Sequence, residues 1–280
     1  MSDLNNRIAN FYDRSSGIWL DIWGEHMHHG FYGFDGKEKK NHQQAQIDLI
    51  EEVLKWAEIE KAKSIFDAGC GVGGSSRYLS KKFGAQAYGV TLSPYQAEAA
   101  AEYNRAVGLE NAVKIEARDM MSVSEGDRKF DFIWSMESAE HIKDKKALLE
   151  VFFNLLEPGG KFLMITWCCR DQPPAFSRSE KQLLENLYES YHLPPMMPMS
   201  QIAGFANEAG FLNLKTDNWS KSVEPFWKAV VSTALTPKGM MGLFRSGWGT
   251  IKGAIAMKYM IQGLRSGLVE FDLLTGQKPE

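Results

Sequence analysis

Residues 64–74 read Ser64-Ile65-Phe66-Asp67-Ala68-Gly69-Cys70-Gly71-Val72-Gly73-Gly74. A short apolar run that breaks into glycines is typical of a buried strand followed by a tight turn. Helical spacing of apolar residues resumes from Ser75 to Phe83. The sequence therefore predicts a strand, a glycine-rich turn and a helix in direct succession.

The alternation of strand and helix continues along the chain. The predicted helices span 43–59, 75–83, 94–107 and 144–156, and the predicted strands span 64–68, 85–92, 113–117, 130–135 and 161–166. Ser93 is expected to cap the third helix, with Pro94 at its first position. Alternation at this pitch favours a parallel sheet with helices on both faces. We therefore expect an α/β fold with a Rossmann-like sheet.

The pattern changes after Trp167, which divides the chain into four predicted parts. They are an N-terminal helical segment (1–62), a nucleotide-binding core (63–170), mostly helical insertions (171–263), and the last strand of the core sheet with a tail (264–280). Residues 171–205 are rich in proline and methionine, and 225–263 look mostly helical. We expect these insertions to cover the open end of the core.

Composition limits the class of protein. The chain has 280 residues, 44% of them hydrophobic, a formal net charge of -3 and no basic stripe, so nucleic acid is not an expected partner. Its three cysteines cannot form a disulfide framework and fit a reducing compartment. The sequence shows neither an evident targeting segment nor an apolar run of membrane-spanning length. We therefore expect a cytoplasmic location.

The spacing of Asp67, Gly69, Gly71 and Gly73 indicates a cofactor site. Glycines let the turn approach a ligand closely, but the third glycine comes one position too early for the dinucleotide pattern. The arrangement suits S-adenosylmethionine (SAM), which has no phosphate. Asp67 would face its cationic methionyl end, and the glycines would flank the ribose. The alternative is a plain tight turn.

The next strand ends as Thr91-Leu92-Ser93, without the acid that often holds a ribose. That absence argues against an NAD-dependent oxidoreductase. Gln96, one helical turn later, is the nearest side chain able to bond a ribose diol, unless it is merely solvated. Asp119 and Met120, just past the third strand, could bond and pack on an adenine, although Asp119 could also be an exposed loop acid.

Several longer motifs resemble the tocopherol methyltransferases, and the similarity covers nearly the whole chain. The motifs are Phe66 to Leu79, Gly89 to Pro94, Phe11-Tyr12-Asp13-x-Ser15-Ser16-Gly17, Trp23 to Tyr32, Trp134 to Ser138, Thr166-Trp167-Cys168, Asp217-x-Trp219-Ser220 and Gly247-Trp248-x-Thr250-Ile251-Lys252-Gly253-Ala254. The strings His-Met-His-His and Trp-Ser-Met-Glu-Ser are specific. The chain looks most similar to cyanobacterial forms.

The resemblance implies a class I methyltransferase sheet with SAM as methyl donor and S-adenosylhomocysteine (SAH) as product. The family methylates a ring carbon of a prenylated chromanol, and related plant members methylate nitrogen on indole alkaloids. In the wider group that includes sterol and cyclopropane-lipid methyltransferases, the positions of Thr91, Leu92 and Gln96 lie at the cofactor. The resemblance also implies that the N-terminal segment, including Tyr12, folds over the cofactor. We also include Ser135 in the cofactor set.

Two segments depart from the family pattern and leave the identity of the methyl acceptor open. The chain has Ala139 where the tocopherol enzymes usually have glycine, and Cys169 where they have histidine. Transfer to nitrogen of an amine or alkaloid therefore remains the alternative. A further alternative is that the chain is a catalytically inactive SAM-binding protein.

Methyl transfer to a phenol ring would benefit from a base near the hydroxyl. Glu140 and His141 follow the fourth strand and are the predicted catalytic residues, although they could also form an ion pair or helix cap there. His26, His28 and His29 have no carboxylate or cysteine at ligand spacing, so we expect no metal. The methionine and aromatic residues of 194–264 are most simply core for the covering helices, and they also suit a hydrophobic acceptor and peripheral contact with a membrane.

Overall fold

A computed structural model describes residue 13, residues 24–124, 126, 128–234 and 248–280, with the side chains of 231–234 and 248–255 excepted. The helices of the described chain are α1 (His42–Trp56), α2 (Gly74–Phe83), α3 (Pro94–Ala106), α4 (Lys145–Leu155), α5 (Arg178–Tyr191), α6 (Met199–Glu208), α7 (Ser220–Val223), α8 (Pro225–Ala234) and α9 (Trp248–Ser266). The strands are β1 (Ser64–Ala68), β2 (Gln86–Thr91), β3 (Val113–Ala117), β4 (Phe130–Met136), β5 (Leu156–Cys169), β6 (Leu212–Asn218) and β7 (Val269–Gln277).

The strands form one seven-stranded sheet in the order β3-β2-β1-β4-β5-β7-β6. The first five strands of that order are parallel, and β7 pairs antiparallel with both β5 and β6. In this order β2 and β3 lie on one side of β1, and β4 and β5 lie on the other, so the direction of strand succession reverses between β1 and β4. Open α/β sheets bind ligands at the carboxyl ends of strands at such a reversal.

The predicted α/β fold is confirmed, and the buried strands lie close to their predicted positions. Ser93 caps α3 as expected: its hydroxyl oxygen accepts a hydrogen bond from the Gln96 amide, and Pro94 opens the helix. One strand was not predicted. β6 lies within the stretch assigned to helical insertions, and it forms the outer edge of the sheet next to β7.

Both faces of the sheet are covered by helices, and alternate strand residues enter different cores. On one face Ile65 and Trp134 pack in a cluster with Leu49 of α1 and Leu187 of α5. On the other face the core is formed by β-strand residues and by α4 and α6. Side chains at successive strand positions point to opposite faces, so the parallel strands are apolar on both sides. None of the helices described here combines the length and apolar character needed to cross a bilayer.

The two leucines Leu149 and Leu212 provide a matched test of this packing. Leu149, on α4, is fully buried, whereas Leu212 on the edge strand β6 is 53% exposed. We expect Leu149→Ala to lower the free energy of unfolding by about 2–5 kcal/mol because it leaves a cavity. Leu212→Ala should change it by about 0.5 kcal/mol or less. Urea unfolding of both variants measures the difference, and equal losses would contradict the assignment of β6 as an exposed edge.

Candidate active site

A cavity of about 560 Å³ opens at the carboxyl ends of β1, β2 and β4, where the strand order reverses. This volume suits a small-molecule ligand. The cavity is lined by Glu25, His26, Met27, His28, Asp67, Gly69, Cys70, Gly71, Val72, Gly74, Ser75, Val90, Thr91, Leu92, Gln96, Arg118, Asp119, Met120, Met121, Trp134, Met136, Glu137, Ser138, His141, Ile142, Lys143 and Asp144.

Asp67 places a buried carboxyl group at the end of β1. The side chain is 2% exposed, and its Oδ2 accepts a hydrogen bond of 2.6 Å from the Ser76 hydroxyl. Burial raises the pKa of Asp67 to about 7, although the hydrogen bonds from Ser76 act in the opposite direction. A cation bound beside Asp67 would favour its charged form. The group therefore suits the positively charged end of a ligand.

The glycine-rich turn passes close to the loop that follows β4. Gly69 has a φ of 91°, in the region that glycine adopts most readily, and an added Cβ would lie 2.3 Å from Cβ of Ser138. The Ser138 hydroxyl donates to the carbonyl of Ala68 and lies 3.0 Å from that of Ser135. Ser135 thus braces the cavity wall from behind and is not part of the lining.

The end of β2 holds Gln96 in a fixed orientation. The Thr91 hydroxyl donates a 2.6 Å hydrogen bond to Oε1 of Gln96, which is 2% exposed. The Ser93 hydroxyl donates to the carboxylate of Asp13, in the N-terminal segment. This contact brings residue 13 to the edge of the cavity. Tyr12 itself lies outside the described residues.

Asp119 and Met120 line the side of the cavity that adjoins β3. Asp119 caps a short 3-10 turn, and its Oδ1 accepts a hydrogen bond of 2.9 Å from the Met121 amide. Met120 is 9% exposed and packs among the apolar residues of one sheet face. The two residues therefore offer a carboxylate and an apolar surface side by side.

The structure separates the two predicted catalytic residues. His141 lines the cavity, and burial together with the Lys145 charge lowers the pKa of its ring to about 4. Glu140 lies behind the wall, where it accepts a 3.0 Å hydrogen bond from the Thr166 hydroxyl. Burial and the nearby Glu137 charge raise the pKa of Glu140 to about 8. Of the two, only His141 lines the cavity.

The strongest polar contact of the site was not predicted. His29 donates from its backbone amide to Oε1 of Glu137 at 2.6 Å, and its Nδ1 lies 2.7 Å from Oε2. The Trp167 indole donates to Oε2 at 3.2 Å. Burial alone would raise the pKa of Glu137, but the charge and hydrogen bonds of His29 outweigh it and keep that pKa below its usual value. A buried carboxylate therefore joins the N-terminal segment to the end of β4.

We use the name strap for residues 24–32, of which Glu25 to His28 line the cavity. The strap is irregular in conformation, and neither His26 nor His28 lies in a strand. The amide group of Gln46 on α1 donates to the carbonyls of His26 and His28. Gly30 packs so closely on α1 that an added Cβ would lie 2.5 Å from Cβ of Ala45. These contacts fix the strap on the core.

The cavity contains many but not all of the residues proposed from the sequence. The lining includes Asp67, Gly69, Gly71, Thr91, Leu92, Gln96, Asp119, Met120 and His141. Gly73, Ser135 and Glu140 lie outside it. Gly73 instead is the N-cap residue of α2, with a φ of 77°. Among the described residues, no group of three or more His, Cys, Asp or Glu side chains is arranged to hold a metal ion.

The chain is similar to known methyltransferases over nearly its whole length. A family model described as a methyltransferase domain matches residues 38–216. A probable tocopherol O-methyltransferase of rice is 42% identical over 99% of this chain and 79% of its own length. The tocopherol O-methyltransferase of Arabidopsis thaliana is 40% identical over 99% and 83%. A norajmaline N-methyltransferase of Rauvolfia serpentina is 27% identical over 99% of each chain.

Among solved structures, a putative sarcosine dimethylglycine methyltransferase from Galdieria sulphuraria superposes with a TM-score of 0.82. The match covers 96% of this chain and 98% of that one, at 21% sequence identity. At this identity the likeness supports the fold alone.

The expected cytoplasmic location is wrong. Both plant relatives bear names that place them in the chloroplast. The expectation rested on cysteine usage and on the lack of an evident targeting segment, neither of which distinguishes two reducing compartments.

The buried carboxyl of Asp67 should lower the stability of the ligand-free protein. An acid whose pKa is raised on folding, here to about 7, makes the protein less stable as pH rises from about 4 to about 7. We expect Asp67→Asn to raise the free energy of unfolding at pH 8 by about 1–3 kcal/mol and to flatten its pH dependence. Urea unfolding at pH 5 and pH 8 measures both effects.

The matched control is Asp35→Asn, on an exposed turn where hydrogen bonds from Lys37 lower the pKa of the carboxyl. The free energy of unfolding of the Asp35→Asn variant at pH 8 should not exceed that of the wild-type protein. A loss of stability in Asp67→Asn at pH 8 would contradict the assignment of a destabilising buried charge.

Proposed function

The chain belongs to the methyltransferase family that includes the plant tocopherol methyltransferases, and on that premise we propose that it transfers a methyl group from SAM to a ring carbon of a tocopherol-like phenol. The observation that supports this proposal best is the cavity at the ends of β1, β2 and β4. It combines the buried carboxyl of Asp67, the glycine-rich turn and a wall that includes His141.

The described residues fit SAM. Asp67 suits the cationic methionyl end, since a positive charge there would stabilise its ionised form. At Gly71, whose φ is 54°, the nearest atoms to an added Cβ are Sδ of Met27 and Nε2 of Gln96, at 3.9 and 4.0 Å. This space beside the turn would admit a ribose. SAM supplies a methyl group on a positively charged sulfur.

We assign the remaining cofactor contacts by position along the cavity and, for Gly73 and Tyr12, by the family resemblance alone. Thr91, Leu92 and Gln96 would contact the ribose. Asp119 and Met120 would contact the adenine. Gly69, Gly71 and Gly73 would let the turn backbone approach, Ser135 would act through Ser138, and Tyr12 would cover the cofactor from the N-terminal segment.

The protein's task is to align the acceptor and to assist the loss of its hydroxyl proton. Holding donor and acceptor in line can supply much of the rate enhancement. A phenol that loses its proton becomes nucleophilic both at oxygen and at the neighbouring ring carbon. The names of the plant relatives specify oxygen, so the position of the new methyl group must be measured.

An amine acceptor is less well supported by the site. A cationic amine would be stabilised by a carboxylate with room for it. Both oxygens of Glu137 are already engaged by His29 and Trp167. Glu140 is fully buried, and its pKa of about 8 favours the neutral form at pH 7. We therefore favour a neutral phenolic acceptor.

The decisive experiment is a transfer assay with labelled SAM, in which γ- and δ-tocopherol are compared with a panel of amines and indole alkaloids. We expect methylation of a chromanol ring carbon next to the hydroxyl, identified by mass and by position. Transfer to the phenolic oxygen would support the proposed acceptor but would show that the oxygen, and not a ring carbon, is methylated. Transfer only to nitrogen would overturn the proposal.

We further propose that the protein contacts a membrane, because such an acceptor dissolves in lipid. Lys258 on α9 is exposed beside the half-buried Met257 and Tyr259, whereas Arg265 is paired with Glu224 at 2.6 Å. Co-sedimentation with vesicles that contain anionic lipid should decrease in Lys258→Glu and remain unchanged in Lys181→Glu on α5. Equal binding of both variants would exclude α9 as the contact.

A further inference from the structure

His28 is a buried side chain of the strap for which the proposed mechanism has so far provided no role. It is 4% exposed and lines the cavity. Its Nε2 is buried and has no hydrogen-bond partner among the described residues. A buried polar atom without a partner is destabilising, and such atoms in native structures call for an explanation. A bound acceptor would supply the missing partner.

The other ring nitrogen fixes the protonation pattern of His28. Nδ1 lies 2.8 Å from the backbone carbonyl oxygen of His29. A carbonyl oxygen can only accept a hydrogen bond, so Nδ1 must carry the proton. In the neutral ring, Nε2 is then left with a lone pair. It can accept a hydrogen bond or a proton, and it cannot donate one.

Charged groups around His28 act on its protonation in both directions. Burial lowers the pKa of the ring, which keeps it neutral at pH 7, and the charge of His29 lowers it further, whereas Glu137 and the hydrogen bond to the His29 carbonyl act in the opposite direction. His26, whose ring centroid lies 5.3 Å away, is itself held neutral because burial lowers its pKa to about 3. Glu137 would therefore stabilise a positive charge on His28 once the proton has arrived.

The position is rigid, as a catalytic group requires. Gln46 donates to the His28 carbonyl at 2.9 Å, and the next residue, His29, is bonded twice to Glu137. Glu137 has a φ of 47°, which is unusual for a residue other than glycine. Such backbone conformations cluster at functional sites. The same contacts thus orient His28 and place a carboxylate near it.

We propose that Nε2 of His28 accepts the hydroxyl proton of the acceptor during methyl transfer, an inference that rests on the proposed function. As the proton moves to Nε2, the ring carbon next to the hydroxyl forms a bond to the methyl group. The carbon–sulfur bond breaks, and its electron pair stays on sulfur. The methylated carbon then releases its hydrogen as a proton to solvent, and His28 returns its proton to the oxygen. One proton is released overall.

His28 and His141 differ in their surroundings. Both line the cavity, but the tautomer of His28 is fixed by a carbonyl, and Glu137 can stabilise its protonated form. The charges of Lys145 and His192 lower the pKa of His141, whereas Glu137 raises that of His28 against the charge of His29. A base must gain a proton during the reaction, so the surroundings of His28 suit that role better.

The test compares His28→Asn with the wild-type protein. The asparagine amide can still donate to the His29 carbonyl, but it has no atom equivalent to Nε2. We expect kcat for γ-tocopherol at pH 7 to fall by about 10²–10⁴-fold while SAH affinity stays within about twofold. The loss should shrink as pH rises toward the pKa of the phenol, because the acceptor then ionises without help. It should also shrink for an acceptor whose hydroxyl is made more acidic by a ring nitro group.

A purely structural role would lower the rate equally at all pH values and for both acceptors, and that result would overturn the inference. An unchanged kcat in His28→Asn, or the pH-dependent loss in His141→Asn instead, would do the same. The second variant, Glu137→Gln, should move the acidic limb of kcat/KM to lower pH, because His28 loses a stabilising negative charge. No such movement would also count against the proposal.

The wild-type measurement separates this inference from the proposed function. If the wild-type protein methylates no phenol, the proposed function fails and the role of His28 with it. If it methylates the ring carbon and the His28→Asn profile follows that of the wild type, only the role of His28 is overturned.

Discussion

The buried contact between His29 and Glu137 is the interaction on which the shape of the site depends. It joins the strap to the end of β4 through two hydrogen bonds of 2.6 and 2.7 Å. Removing one member would leave the other as an uncompensated buried group, which is strongly destabilising. Without this contact the cavity would lose one wall. The proposed base and its electrostatic partner would then no longer face the same space.

The site also illustrates how function and stability oppose each other in this fold. Burial raises the pKa of Asp67 to about 7 and that of Glu140 to about 8, so both carboxyls are held in surroundings that disfavour their charge. At either position a neutral side chain that still accepts the hydrogen bond from Ser76 or Thr166 would suit the ligand-free protein better. A cation at Asp67 reverses that balance, since binding then stabilises the charge that folding disfavours. The residue thus couples cofactor binding to stability.

Sequence patterns predicted the elements whose side chains are buried on a regular period. β1 and β4 were located because parallel strands covered on both faces read as continuous apolar runs. β6 was missed because, as an edge strand, it exposes Leu212 and most of its other residues and shows no apolar period. The contact of His29 with Glu137 was missed for a different reason. The two residues are 108 positions apart, and no local pattern reports such a pairing.

The two residues that depart from the tocopherol methyltransferase pattern, Ala139 and Cys169, lie outside the cavity lining in this structure. Ala139 is fully buried behind the wall, and the thiol of Cys169 lies 3.4 Å from the Met196 carbonyl. Neither residue lines the cavity in the part of the chain that the structure describes. Their effect on an acceptor would therefore be indirect, through packing. In the proposed mechanism the acceptor would instead contact the strap and the loop after β4, so its chemistry should follow from His28 and Glu137 more than from these substitutions.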